Sequence, residues 1–131
     1  MRGVHIGHDG YVDDQVTMSC NTILGGHSII MKGANIGLGS SIHQFRVVGA
    51  YAMIGMMSNV VRSIPPFVIA VGNPAKPTKI NAIGMQRGGV ADLDVASAMQ
   101  WMERGMDDSA LSPHLKQIMD RWHSMYGACG K

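Results

Sequence analysis

The sequence predicts a mainly β fold: a short parallel β-helix of six-residue repeats, then a small α-helical C-terminal region. Three observations carry this reading. First, every sixth residue from Ile6 is a large aliphatic: Ile6, Val12, Met18, Leu24, Ile30, Ile36, Ile42, Val48, Ile54 and Val60. Second, the column beside it, from Gly7 to Val61, is half glycine. Third, the six-residue pattern stops after Val61, and beyond Lys79 apolar residues recur at helical spacing.

A period of six fits neither a 3.6-residue helix nor long alternating strands. It fits short strands joined by tight turns, with the aliphatic pointing inward onto its equivalents above and below. The glycine column is expected to supply turn conformations that other residues reach only at a cost. A third column holds Gly10, Val16, Thr22, Ser28, Ala34, Ser40, Arg46, Ala52 and Ser58. Apart from Arg46 these are small or modest, as an inner wall with little room requires. The segment from Pro65 to Lys79 reads as an exit loop with one short strand.

Two helices are expected after it. One runs from about Asp92 to Arg104, with Val95, Met99 and Met102 on one face. The other opens at Ser112 as N-cap with Pro113 in the first helical position. Leu115, Ile118, Met119, Trp122 and Met125 follow on its inner stripe, and Gly127 suits a C-terminal cap. The boundaries are residues 1–79 for the β-helix with its exit loop and 80–131 for the helical region.

Composition agrees and excludes several classes. The chain has 131 residues, 17 glycines, 12 methionines, 5% aromatics and 15% charged residues. Thin layers of small and aliphatic side chains, completed by a partner subunit, suit those values. A net charge of +2 without a basic, aromatic-interleaved run argues against nucleic acid. The longest apolar stretch, Ile64 to Val71, carries Pro65 and Pro66 and falls short of the roughly 20 residues of a membrane span. Residues 1–5 offer no apolar signal region, so the expected location is cytoplasmic. Cys20 and Cys129 fit neither a disulfide framework nor a metal knuckle and read as plain thiols.

The six-residue pattern resembles that of the hexapeptide-repeat families, which implies three repeats, or eighteen residues, per three-sided coil, so His8, Gly26 and Gln44 are expected to stack. His27 and His43 sit one position to either side of that column. Three histidines from successive coils therefore gather at one edge, with Asp9 after His8 and His5 just before it. Two chemistries suit them. One is general base catalysis by a neutral imidazole oriented by a carboxylate such as Asp9. The other is zinc held by three histidines with an open position. The spacing 8, 27, 43 matches no metal motif, and no metal is expected. His114 and His123 lie on the last helix and are expected to be exposed.

The segments His5-Ile6-Gly7-His8-Asp9, Leu24-Gly25-Gly26-His27 and Ile42-His43-Gln44-Phe45 resemble the acyl-carrier-protein-dependent UDP-N-acetylglucosamine O-acyltransferases of lipid A biosynthesis. So do Ile64 to Ala70 with Gly72-Asn73, and Ile80 to Gly89. The resemblance covers residues 4–90 and the helical tail more weakly. It implies a left-handed, triangular β-helix, a homotrimer, and active sites in clefts between subunits. His8 matches the general base, Asp9 its orienter, and Gly26 the backbone N–H donor to the oxyanion. His5, His27, His43 and Gln44 match positions that contact substrate. Asn81 and Arg87 match residues that grip the nucleotide, with Gly88 where a second basic residue is the rule. Met56 matches the region that limits the acyl tunnel, where a bulky side chain implies a shorter acyl chain.

The implied partners are acyl carrier protein, whose thioester is the co-substrate with no further cofactor, and a UDP-sugar. Family members carry several more coils before the first histidine motif, so the chain is expected to correspond to their C-terminal half. Two other readings stay open on the residues alone: a hexapeptide acetyltransferase using acetyl-CoA, and a non-catalytic trimeric scaffold.

Overall fold

A computed structural model describes residues 1–128, with side chains through Tyr126; Cys129 lies outside the described residues. Ten two-residue strands wind into a triangular, left-handed parallel β-helix. One face holds β1 (His5–Ile6), β4 (Ile23–Leu24), β7 (Ser41–Ile42) and β10 (Asn59–Val60). The second holds β2 (Tyr11–Val12), β5 (Ile29–Ile30) and β8 (Val47–Val48). The third holds β3 (Thr17–Met18), β6 (Asn35–Ile36) and β9 (Met53–Ile54), extended by β11 (Val68–Gly72) and β12 (Ala75–Ile80).

The register is eighteen residues per coil, as in His5 opposite Ile23, Ile23 opposite Ser41 and Ser41 opposite Asn59. Backbone bonds repeat with it: the His5, Ile23 and Ser41 N–H groups each donate across 3.0 Å to Thr22, Ser40 and Ser58 carbonyls. The aliphatic column fills the interior, and Leu24, Ile30, Ile36, Val48 and Ile54 are fully buried. Ile6, in the first coil, is 47% exposed. From Thr22 onward the small column is buried too. Its Ser28 and Ser40 hydroxyls donate to the Gly25 and Gly55 carbonyls. Arg46, the exception, turns aside so that its Nε donates to Val61 O at 2.8 Å.

The turns correct one expectation. Every sixth residue from Gly3 to Met57 has φ between 57° and 75°, and only Gly3, Gly33 and Gly39 of these are glycine. Asp9, Asn21 and His27 are types that tolerate this left-handed region. Gln15, Phe45, Tyr51 and Met57 do not favour it; it costs about 1–2 kcal/mol for an ordinary residue. Adjacent coils hold Phe45, Tyr51 and Met57 there. The Phe45 N–H donates to Gly26 O at 3.0 Å and the Met57 N–H to Leu38 O at 2.7 Å. The glycine-rich column takes ordinary φ values and serves a different need. A Cβ on Gly7 would stand 2.7 Å from Gly26 N, and one on Gly37 would stand 2.6 Å from Ile54 O. These glycines let successive coils approach.

The exit segment also differs from expectation: β11 and β12 form an antiparallel hairpin. Pro74 and Pro77 argue against a second strand, but β12 lies at the sheet edge, where a missing N–H is tolerated.

Helices follow from Ala82. A short α1 (Ala82–Arg87) precedes α2 (Asp92–Glu103), a 3-10 turn (Asp108–Ala110) and α3 (Pro113–Ala128). The buried face of α2 is Val95, Ala98 and Trp101, while Met99 is 45% exposed. The inner stripe is therefore turned from the expected one, because Trp101 is drawn against Phe67, edge to face with centroids 6.3 Å apart. On α3, Leu115, Met119 and Trp122 are buried as the helical spacing predicts. The helix runs past Gly127, where a cap was expected. Arg121 of α3 reaches Asp13 of the first coil at 3.7 Å. Among the described residues no helix is long and apolar enough to cross a membrane.

Candidate active site

The stacked turns at one edge of the prism bring His8, Asp9, Gly26 and His27 together. His8 and Asp9 are consecutive, and Asp9, His27 and Phe45 occupy the same turn position in successive coils, with φ of 58°, 58° and 61°. This left-handed geometry turns their side chains out at the edge, away from the filled interior.

The His8 Nδ1 lies 3.2 Å from Asp9 Oδ2. A carboxylate can only accept, so Nδ1 carries the proton and Nε2 of the neutral ring keeps its lone pair. That Nε2 faces the backbone of Gly26, where an added Cβ would stand 2.8 Å from it. The Gly25 and His27 N–H groups donate to Ile42 O at 2.8 Å and His8 O at 2.9 Å. The Gly26 N–H between them is not part of that ladder. His27 places Nε2 3.6 Å from the same Asp9 Oδ2. Its ring meets His8 edge to face at 5.0 Å and stacks on Phe45 at 4.8 Å, with 7° between planes.

His43 and Gln44 lie one coil further on, at the mouth of a cleft of about 570 Å³. The His43 Nδ1–H donates to Gln44 O at 3.0 Å, which leaves its Nε2 as an acceptor. Gly25, Gly26, Ser41, Asn59 and Asn73 also line this cleft. His5 is exposed on β1, and among the described residues no hydrogen bond or ion pair joins it to the cluster. The three ligand atoms offered by His8, Asp9 and His27 lie within 4.8 Å of one another.

The remaining predicted residues lie elsewhere in the single chain. Asn81 and Arg87 line a second cleft, of about 560 Å³, on the face carrying Thr17, Asn35 and Met53. Asn81 is buried: its Nδ2 donates to Tyr51 O at 2.9 Å, and its Oδ1 caps α1 by accepting from Gly84 N–H at 3.2 Å. One amide N–H and one carbonyl lone pair remain. Arg87 is exposed in the last turn of α1. Met56 is 70% exposed at a third position, beside Met57 and stacked on Leu38.

Residues 64–122 match the family model described as UDP N-acetylglucosamine O-acyltransferase, domain 2. Over 112 residues the chain is 44% identical to an acyl-[acyl-carrier-protein]–UDP-N-acetylglucosamine O-acyltransferase of Burkholderia orbicola, covering 86% of this chain and 42% of that protein. Among solved structures it superposes on a UDP-N-acetylglucosamine acyltransferase of Bacteroides fragilis with a TM-score of 0.77 at 28% identity, covering 90% of this chain and 52% of that one. The Francisella novicida UDP-N-acetylglucosamine acyltransferase gives 0.76 at 27% identity, over 79% and 38%. The chain resembles the C-terminal half of the UDP-N-acetylglucosamine O-acyltransferases. It spans 42% of the length of the curated relatives it matches.

Beside these O-acyltransferases, the site holds residues that sequence reasoning passed over. Phe45 fixes the plane of His27. Ser41 donates to Asn59 Oδ1 at 2.5 Å and the pair floors the first cleft. Their eighteen-residue separation was a usable signal, but side chains on an outer face have no period of their own to mark them.

Proposed function

We propose that this chain carries the base-catalysed step of O-acyl transfer from an acyl carrier protein thioester to the 3-hydroxyl of a UDP-amino sugar. The observation that carries the reading is His8: Nδ1 on Asp9 and a free Nε2 lone pair facing the Gly26 backbone. His8 Nε2 takes the hydroxyl proton as the sugar oxygen attacks the thioester carbonyl. Asp9 holds the reactive tautomer and stabilises the imidazolium. The Gly26 N–H donates to the oxyanion. Collapse breaks the C–S bond, and the carrier thiolate takes the proton back from His8. No covalent enzyme intermediate and no cofactor beyond the thioester is needed.

In this reading His5, His27, His43 and Gln44 contact substrate, and Asn81 and Arg87 grip the nucleotide; an Arg fork suits a diphosphate. His43 and Gln44 line one cleft of a single chain, and Asn81 and Arg87 line another. A single site therefore draws them from neighbouring copies, which supports a homotrimer, in the cytoplasm where acyl carrier protein works. Met56 would shorten the acyl chain accepted.

The test mixes this chain with hydroxyacyl carrier proteins of graded length and UDP-N-acetylglucosamine, with acetyl-CoA as competing donor. Mass spectrometry reads the product. The expected result is transfer from the carrier protein, reduced about 10²–10⁴-fold by His8→Ala. Sedimentation should give a trimer, and Met56→Gly should lengthen the preferred chain. Turnover unchanged in His8→Ala removes the base assignment, and exclusive use of acetyl-CoA replaces the donor.

A further inference from the structure

We propose that His8, Asp9 and His27 form a binding site for one divalent transition-metal ion of the zinc class. The three-histidine set considered from the sequence is not the one that converges, because His43 is not among the residues whose ligand atoms come together. Two histidines and a carboxylate converge instead, with their ligand atoms within 4.8 Å of one another. Asp9 Oδ2 is the shared vertex, 3.2 Å from His8 Nδ1 and 3.6 Å from His27 Nε2. Around a tetrahedral zinc with bonds of about 2.0–2.1 Å, neighbouring ligand atoms stand about 3.3–3.4 Å apart. The two edges at Asp9 bracket that value, and the third, between the imidazole nitrogens, lies within 4.8 Å, so side-chain rotations that draw the two rings together close the site.

The backbone already holds the ligands. Asp9 and His27 sit at equivalent turn positions, with φ of 58° each, in coils tied by the His27 N–H to His8 O bond. Phe45 stacks on the His27 ring from the coil beyond. Three protein ligands leave a fourth position open to solvent. An imidazole-rich set selects zinc, copper, nickel or cobalt over magnesium and calcium, which demand oxygen ligands.

The site has a consequence for the base. A metal on His8 Nδ1 displaces the proton that Nδ1 gives to Asp9. The neutral ring then carries its proton on Nε2, which no longer has a lone pair to accept from a hydroxyl. Metal occupancy and base catalysis at His8 exclude one another. That consequence rests on the proposed acyl transfer; the binding itself does not.

The experiment titrates the metal-free full chain with Zn²⁺ against a chromophoric chelator, and with Co²⁺ followed by its visible absorption. His8→Ala, Asp9→Asn and His27→Asn are run beside it. Asn tolerates a φ near +58°, so the two turn variants keep their backbone. The expected result is one ion per chain, the intense visible bands of four-coordinate Co²⁺, and at least about tenfold weaker binding in each variant. His114→Ala and His123→Ala on α3 should bind as the unaltered chain does. The proposal is overturned if the unaltered chain takes up no zinc at micromolar concentrations, whatever the variants do. It is equally overturned if the three variants bind undiminished. If the chain binds zinc but transfers no acyl group, the site stands and the proposed reaction does not. If it transfers acyl groups and binds no zinc, the reverse holds.

Discussion

A Cβ added to Gly26 would stand 2.8 Å from His8 Nε2, so the imidazole lone pair and the backbone of the next coil share one small space. Glycine at position 26 keeps that space open, as the proposed acyl transfer requires.

Gly26→Ala tests this directly. Gly26 does not have a positive φ, and the nearest atoms belong to an exposed ring that can give way, so the fold should persist with little change in Tm. Acyl transfer should fall at least about 10²-fold as the methyl displaces His8. Unimpaired transfer by a well-folded Gly26→Ala chain would remove the role given to this contact.

Gly37 is the opposite case. Its added Cβ would meet the backbone atoms Ile54 O and Met56 N at 2.6 Å each, which cannot swing aside. Gly37→Ala should lower stability by about 1–3 kcal/mol through overpacking between coils. Urea unfolding midpoints of the two alanine variants give the comparison, and equal midpoints would contradict it.

Asn81 joins three elements: it caps α1 through Gly84, ties that helix to Tyr51 O, and lines the second cleft. Asn81→Ala should cost about 1–3 kcal/mol, from a lost cap and a buried carbonyl left without its donor. A residue that served only to hold a nucleotide would leave the melting curve unmoved, so calorimetry without ligand separates the two.

Trp101 is 1% exposed, and its Nε1–H donates to Asp108 Oδ1 at 2.9 Å. Asp108 Oδ2 lies 3.0 Å from His123 Nε2, so one carboxylate clasps α2 to α3. Asp108→Ala should destabilise by about 1–2 kcal/mol, since the indole N–H loses its partner. Trp101→Phe in the same background should recover part of that loss. A double-mutant cycle with no coupling would show that the clasp contributes nothing.

The coil interior was legible because burial imposes a strict chemical requirement at a fixed period. Leu24, Ile30, Ile36 and Ile54 must all be apolar, and a column of such residues is visible without coordinates. The left-handed turn positions were not legible. Gln15, Phe45, Tyr51 and Met57 share no side-chain chemistry, and the N–H groups of Phe45, Tyr51 and Met57 are held by carbonyls of the adjacent coil. The hairpin of β11 and β12 was half legible, since the prolines that argue against a strand are harmless on an edge.

The histidine edge divides the same way. That His8, Asp9 and His27 meet follows from eighteen-residue arithmetic once the coil is accepted. That Asp9 Oδ2 lies between both imidazoles, while His43 turns to its own neighbour's carbonyl, depends on distances of 3.0–3.6 Å. The sequence by itself determined the solenoid, its period and the residues gathered at one edge, because each inward position must exclude water. Only the tertiary structure decided which atoms face which, because exposed side chains are placed by the turn backbone and by contacts from the next coil. It also put Asn81 and Arg87 in a different cleft from His43 and Gln44, a separation that stacking arithmetic could not supply because β12 and α1 lie outside the repeat.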